Sequence, residues 1–313
     1  MPSTGKGSLK EGLGNTMFKM SEYSFLAAVL SIALALGCYA LAFASSFATR
    51  RRATLAGAGA GGGTITVDAP PSNGIGLGTY GTLLAYLAFA FLTASLAFRT
   101  IAVGHGPFAN MYEFSVAFAW GTLGMYLYFE RRYHQRVLGL IALPIALLLL
   151  LYAATITAGS ADPLVPALQN NLLLSVHVAV AIVAYGTFTV AFAAAVLYLI
   201  QTDQGRRGLP SRELLDEIGY KAVMVGFPFL TLTIVLGAVW ADVAWGTYWS
   251  WDPKETASLV TWLIYGSYLH ARVVRGWRGE RAAWLLILGF AATLFTYFGN
   301  YFFGGLHSYS GLN

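Results

Sequence analysis

The sequence predicts an all-α, polytopic membrane protein of about eight transmembrane helices, with both termini on the extracytoplasmic side. Three observations carry that prediction. Hydrophobic residues make up 57% of the chain and charged residues only 11%, with a mean hydropathy of +0.62. A soluble domain carries about 25% charge, so there are too few charges here to cover a water-facing surface. Long uncharged runs recur, at the length of about 20 apolar residues that a spanning helix needs. Basic residues gather in alternate connections, as they do where a chain weaves through a bilayer. The same composition excludes a disordered chain, and the lone Cys38 excludes a disulfide scaffold and any CxxC redox or metal motif. The net charge of +5 follows topology and implies no nucleic-acid partner.

The elements follow in order. A polar N-terminal tail, residues 1–22, leads into the first transmembrane helix at 23–48, which Arg50-Arg51-Arg52 closes. Its apolar run exceeds the roughly 7–15 residues of a cleaved signal's core, so it reads as a retained span. Residues 53–77 are rich in Gly and Ala and contain Pro70-Pro71, which reads as a flexible cytoplasmic linker. Helices then follow near 78–103, 112–130, 137–159, 172–200, 220–241, 256–274 and 282–303, making one membrane domain over 78–313. Pro163, Pro166 and Asn170-Asn171 mark a loop before the fifth span. Ser211 and Glu213 read as the start of a short helix inside the polar connection 201–220. Fourteen of the 19 Lys and Arg fall in connections at 50–52, 131–136, 206–221 and 272–281, which makes those cytoplasmic. Lys6, Lys10, Lys19, Arg99 and Lys254 lie on the other face.

The chemistry concentrates in one outer loop. Trp240, Trp245, Trp249 and Trp251, four of the eight tryptophans, lie within twelve residues, followed by Asp252, Pro253, Lys254 and Glu255. Interfacial tryptophans commonly anchor a membrane protein, but a belt spreads around the circumference, whereas these crowd one loop. Together they suit a large planar apolar ligand with charged groups at one end. Arg99 and Lys254 are the outer cations able to face such groups, and Arg99 reads equally well as a snorkelling residue.

The five histidines sort by depth. His134 lies in a basic inner loop and reads as solvated. His105, in Gly104-His105-Gly106-Pro107, reads as turn chemistry or a site contact. His177 sits about 8 Å below the outer boundary of the fifth span, on a face with Ala181, Ala184 and Tyr185. His307 follows the last span on the same outer side. His270 lies about 21 Å into the seventh span, towards the cytoplasm, below Trp262 and Gly266. An ionisable residue at membrane depth is a functional candidate, and a helix–helix hydrogen bond is the structural alternative. As a pair beside the tryptophan loop, His177 and His307 favour ligation of haem iron by neutral imidazole. Zinc would want three or four ligands, and the aromatics would then serve nothing. No GxSxG element supports a hydrolase.

The run Trp245-Gly-Thr-Tyr-Trp-Ser-Trp-Asp-Pro-Lys-Glu255 resembles the WWD signature of the haem-handling proteins of cytochrome c biogenesis, and within them the CcsA/ResC branch, called CcsB in some bacteria. The likeness extends through Leu263–Arg272, Thr296–Gly299 and Gly305–Tyr309, and to Gly104–Glu113; it covers roughly 78–313. The resemblance implies a component of a holocytochrome c synthase (haem lyase) complex in the plasma membrane. Such a component carries haem b outward as transported substrate and presents it to apocytochrome c at CxxCH. It implies a ResB-like partner and thiol-reducing pathway proteins. It also implies axial ligation by His177 and His307, porphyrin-edge contacts from Trp240, Trp245, Trp249, Trp251 and Asp252, and His270 at the inner end of the haem route. The competing expectations are an electron-transfer subunit with permanent haem, a transporter of another solute, and an assembly scaffold that never touches haem. No two histidines share a span, which disfavours the first, and no Asp, Glu or Lys lies deep inside a span to serve an ion-coupled pump.

Overall fold

The structure, a computed structural model, describes residues 4–59, 76–156, 171–202, 208–299 and 303–307, with the side chains of the first helix described over 12–45. Among the described residues there are eight α-helices, one 3-10 turn and no strand. The helices are α1 (Thr4–Gly59), α2 (Leu77–Val103), α3 (Met111–Tyr133), α4 (Gly139–Thr155), α5 (Asn171–Ile200), α6 (Arg212–Trp245), α7 (Pro253–Val274) and α8 (Glu280–Phe298). Hydrocarbon offers no water to peptide groups, so a spanning chain satisfies them internally, as helix. Six of the helices are long and apolar enough to cross a membrane. The other two, α3 and α7, carry charge at their ends, yet at 23 and 22 residues each is about 33 Å long, against a hydrocarbon core of about 30 Å. The fold is all-α and polytopic, as the sequence predicts.

Three boundaries differ from expectation. Helix α1 begins at Thr4 and runs to Gly59, so most of the predicted tail 1–22 and the first residues of the predicted linker 53–77 are helical. No proline lies between Pro2 and Pro70, so nothing in the backbone stops the helix in between. The remainder of that linker, 60–75, lies outside the described residues, as do Pro163, Pro166 and Asn170. Helix α6 is continuous from Arg212: Ser211 caps it, accepting from the Leu214 N–H at 3.3 Å, and the short helix expected there is its first turn.

Helix α1 lies along α2 and α5 along α6, while α3 packs on α4 and α5. Membrane helices approach closely where side chains are small. At the α3–α5 crossing, a Cβ on Gly186 would stand 2.6 Å from the Gly121 carbonyl oxygen, so this crossing requires glycine.

Contacts sort the loops into two ends. At one end Gly106 abuts Ser175 at the start of α5, Lys254 reaches Phe114 at the start of α3, and His307 meets Asp252. At the other end Glu130 accepts from Tyr39 at 2.8 Å and from Thr82, Arg136 bonds Thr79 and Thr82, and Arg272 pairs with Asp216 at 2.7 Å. The second end carries the arginines of the α3–α4 and α7–α8 connections, and the first carries Arg99 and Lys254.

Arg99 does not face a ligand. Its Nε donates to Glu113 Oε1 at 2.9 Å, with side-chain exposures of 6% and 1%, and its guanidinium lies over the Phe18 and Tyr112 rings. Glu113 Oε2 also accepts from the Ala109 N–H at 2.8 Å, so one carboxylate ties α2 to the loop that opens α3. Removing one partner of a buried pair strands the other charge. Glu113→Ala is expected to cost about 3–5 kcal/mol, read as a lowered thermal midpoint in detergent. Replacing both partners, Arg99→Met with Glu113→Leu, is expected to recover most of that loss. A single variant that melts like the parent would refute the buried pair.

Candidate functional site

His177 projects from the second turn of α5 into a notch on α6. Its Nδ1 lies 2.9 Å from the Thr233 carbonyl oxygen. A carbonyl can only accept, so Nδ1 carries the proton and Nε2 of the neutral ring keeps its lone pair. One turn on, Gly237 makes the notch: a Cβ there would stand 2.8 Å from the imidazole Cε1.

His307 is held in the same way by a different group. Its Nδ1 lies 2.8 Å from Asp252 Oδ1, and its backbone N–H donates to Oδ2 at 3.4 Å. Asp252 is the N-cap of α7, with Pro253 at the first helical position and Glu255 completing a capping box. Burial works against its charged form, but the His307 hydrogen bond and charge and the Lys254 N–H more than offset this, and its pKa lies at about 2. Asp252 is therefore an ionised acceptor for the His307 Nδ1–H. Burial pushes the His307 pKa below its usual 6.5, with Lys254 acting in the same direction and the Asp252 hydrogen bond opposing. Burial likewise lowers Lys254, against the pull of Asp252. Gly305 lets the chain close on this carboxylate, since a Cβ there would collide with Asp252 Oδ2.

Trp240 joins the two imidazoles. Its ring centroid lies 6.4 Å from His177, in near-parallel planes, and 6.0 Å from His307. It is 2% exposed, and its Nε1–H has no acceptor among the described residues. His177, His307, Trp240, Tyr248, Trp249 and Lys254 line one cavity of about 110 Å³. Ala181 and Tyr185, which the sequence places on the His177 face, line it as well.

The remaining predicted residues sit elsewhere. Trp245 packs edge-on against Trp240 and His307, at 4.8 Å from each, behind the cavity. Trp251 points away: it is 69% exposed and has a φ of 59°. Asp252 grips His307 rather than lining the cavity. His270 is exposed on the outer side of α7, seventeen residues after Pro253 and about 26 Å along the helix. His105 Nδ1 lies 2.8 Å from the Gly106 carbonyl oxygen, which is turn chemistry, and exposed His134 ends α3 with a φ of 55°. Sequence reasoning missed Thr233, Gly237 and Gly305. The Asp-Pro-Lys-Glu run, by contrast, carried its helix-cap signal in plain view.

Residues 108–307 match the family model described as Cytochrome C assembly protein, and this span contains His177, the tryptophan loop, His270 and His307. The chain belongs to the cytochrome c assembly protein family. It is similar to the cytochrome c biogenesis protein CcsA of Guillardia theta, 39% identical over 77% of this chain and 88% of that one. It is also similar to CcsA of Prochlorococcus marinus (strain MIT 9312), 36% identical over 72% of this chain and 83% of that one. Among solved structures it shares the fold of the cytochrome c haem lyase CcmF, with a TM-score of 0.64 at 20% identity. That likeness covers 90% of this chain and 46% of the other. This assembly protein therefore has its role in cytochrome c maturation.

A buried neutral imidazole leaves a pH signature. The folded His307 pKa is lowered, so on acidification the unfolded chain takes up this proton first. The contribution is complete above about pH 6.5 and declines as the pH falls below it. The thermal midpoint in detergent is expected to fall between pH 7 and pH 5, and His307→Gln to remove part of that slope. An unchanged slope in the variant would count against a buried neutral His307.

Proposed function

We propose that this protein holds haem as its substrate at the cavity end, with His177 and His307 as axial ligands, and presents it for covalent attachment to apocytochrome c. The observation that carries this reading is the matched pair of imidazoles. Each has Nδ1 fixed by an acceptor on another element, and both border one aromatic-lined cavity. An acceptor at the far nitrogen is what orients a ligating histidine and raises its basicity. Among the described residues, no group of three or more His, Cys, Asp or Glu stands ready for a bare metal ion.

The cavity's size bears on how the substrate lies. Sites that engulf a ligand enclose about 300–1,000 Å³, and this one holds about 110 Å³. A tetrapyrrole therefore lies across the rim, between the histidines and exposed Tyr248, with its edge towards water. Attachment needs that edge open. In thioether formation each cysteine S–H adds across a vinyl C=C, sulfur to one carbon and hydrogen to the other, with no net redox change. The residues of this chain supply ligation that tunes the iron and a fixed pose that provides proximity. The cavity lining contributes no thiol, which suits a complex with a ResB-like partner and a thiol-reducing pathway. The charge asymmetry between the two ends supports an extracytoplasmic site, with both termini on that side. His270, on the outward side of α7, fits the inner part of a route along the helix surface.

Protein purified in detergent is expected to show the absorption spectrum of low-spin haem with two imidazole ligands. His177→Ala or His307→Ala is expected to abolish cytochrome c maturation in cells, with partial recovery on adding imidazole. Normal maturation in the double variant would end the proposal. Separately, His270→Ala is expected to lower haem content at the outer site while leaving the spectrum of the remaining haem unaltered. Full haem content with a shifted spectrum would contradict that role.

A further inference from the structure

Axial ligation leaves part of the cavity lining unused. That lining holds donors without acceptors among the described residues. The Lys254 ammonium stands 5.7 Å from the centroid of the Phe114 ring and makes no ion pair or hydrogen bond among the described residues. Trp240 contributes a second donor, a buried Nε1–H without an acceptor among the described residues.

The nearby carboxylates are already committed. Asp252 accepts from His307 Nδ1, the His307 N–H and the Lys254 N–H. Glu255 accepts from the Ser250 N–H at 2.8 Å, the Ser250 hydroxyl and the Asp252 N–H. Arg99, the other outer cation, is bound to Glu113. A half-buried ammonium beside an aromatic face, with Asp252 near enough to attract it but bonded elsewhere, is a costly arrangement, because burying charge is unfavourable unless it is paired. A ligand that brought its own carboxylate would supply the missing partner and would gain a charge-assisted hydrogen bond.

We propose that Lys254, helped by the Trp240 N–H, binds a carboxylate of the substrate and so fixes which edge of the ring turns outward. Haem carries two propionates on one edge and its vinyl groups elsewhere. Two axial histidines hold the iron but leave the ring free to rotate about the axis between them. A cation fixed at one side of the cavity removes that freedom. Lys254 is thus a positioning residue: it sets the outward edge, while His177 and His307 set the iron. This inference rests on the haem reading.

The test compares haem with haem dimethyl ester, whose propionates are neutral, on the full-length protein stripped of haem in detergent. The readout is the two-imidazole absorption spectrum during titration. Wild type is expected to bind haem about tenfold to a hundredfold more tightly than the ester, the range of one hydrogen bond to a charged group. Lys254→Met is expected to lose that preference by weakening haem alone, with its ester affinity unchanged, which also reports that the variant is folded. Lys254→Arg is expected to keep the preference, and Trp240→Phe to lose part of it. Undiminished discrimination in Lys254→Met overturns the proposal while leaving the haem reading in place. Should Lys254→Met bind neither compound, retained discrimination in Lys254→Arg and partial loss in Trp240→Phe support it, and full discrimination in Trp240→Phe overturns it. No two-imidazole spectrum in wild type with either compound would overturn both.

Discussion

One carboxylate joins the elements that make the site. Asp252 ends the tryptophan loop, caps α7 and grips the segment after α8 through both the ring and the backbone of His307. Its position inside a capping box fixes it to the helix axis, so the imidazole inherits the rigidity of α7. The rest of the cavity end is then set by how α5 and α6 dock beside it. His177 is delivered to the same cavity through Thr233 and the Gly237 notch, and Trp240 sits between the two supports. The contact with His307 lowers the Asp252 pKa, whereas burial lowers that of His307 against the same contact.

The membrane explains why such a site is assembled from helix ends. Inside hydrocarbon the backbone has no polar group to spare. At a helix terminus, carbonyls and N–H groups are open to other partners, and here Asp252, Asn110 and Gly246 terminate or start helices around the cavity. The buried Arg99–Glu113 pair belongs to the same layer. It fastens the loop 104–110 to α2, so that Met111 and Phe114 arrive at the cavity wall.

Much of this was legible in the sequence, for definable reasons. Uncharged runs of spanning length gave all eight helices, because burial in lipid is a property of composition. His177 and His307 were found together because depth along a helix is simple arithmetic and both fell at one level. The parts that escaped depend on neighbours in space. Nothing local says that Gly237 faces His177 across α5 and α6, since a glycine in an apolar helix reads the same wherever it points. Composition assigned residues 1–22 to a tail and 53–77 to a linker, yet α1 spans Thr4–Gly59. Glycines lower helix propensity without forbidding a helix that packs along a neighbour.

The tryptophan loop shows why residues that read alike in sequence need not act alike. Trp240 and Trp249 line the cavity, Trp245 buttresses Trp240 and His307 from behind, and Trp251 faces outward. Trp251 holds a left-handed backbone, which costs a bulky residue on the order of 1–3 kcal/mol. Such a conformation persists where its surroundings over-determine it. Here Glu255 holds the N–H groups on both sides of Trp251, and Thr256 bonds its carbonyl. The capping box that locks His307 in place therefore also turns the Trp251 indole outward, beside the edge of Trp249 at 5.8 Å. A porphyrin resting across the rim would meet Trp249 on the inside of that pair, and anything approaching from water would meet Trp251 first. The same few hydrogen bonds thus set Trp249 towards the cavity and Trp251 towards the outside, and tie both to the cap of α7.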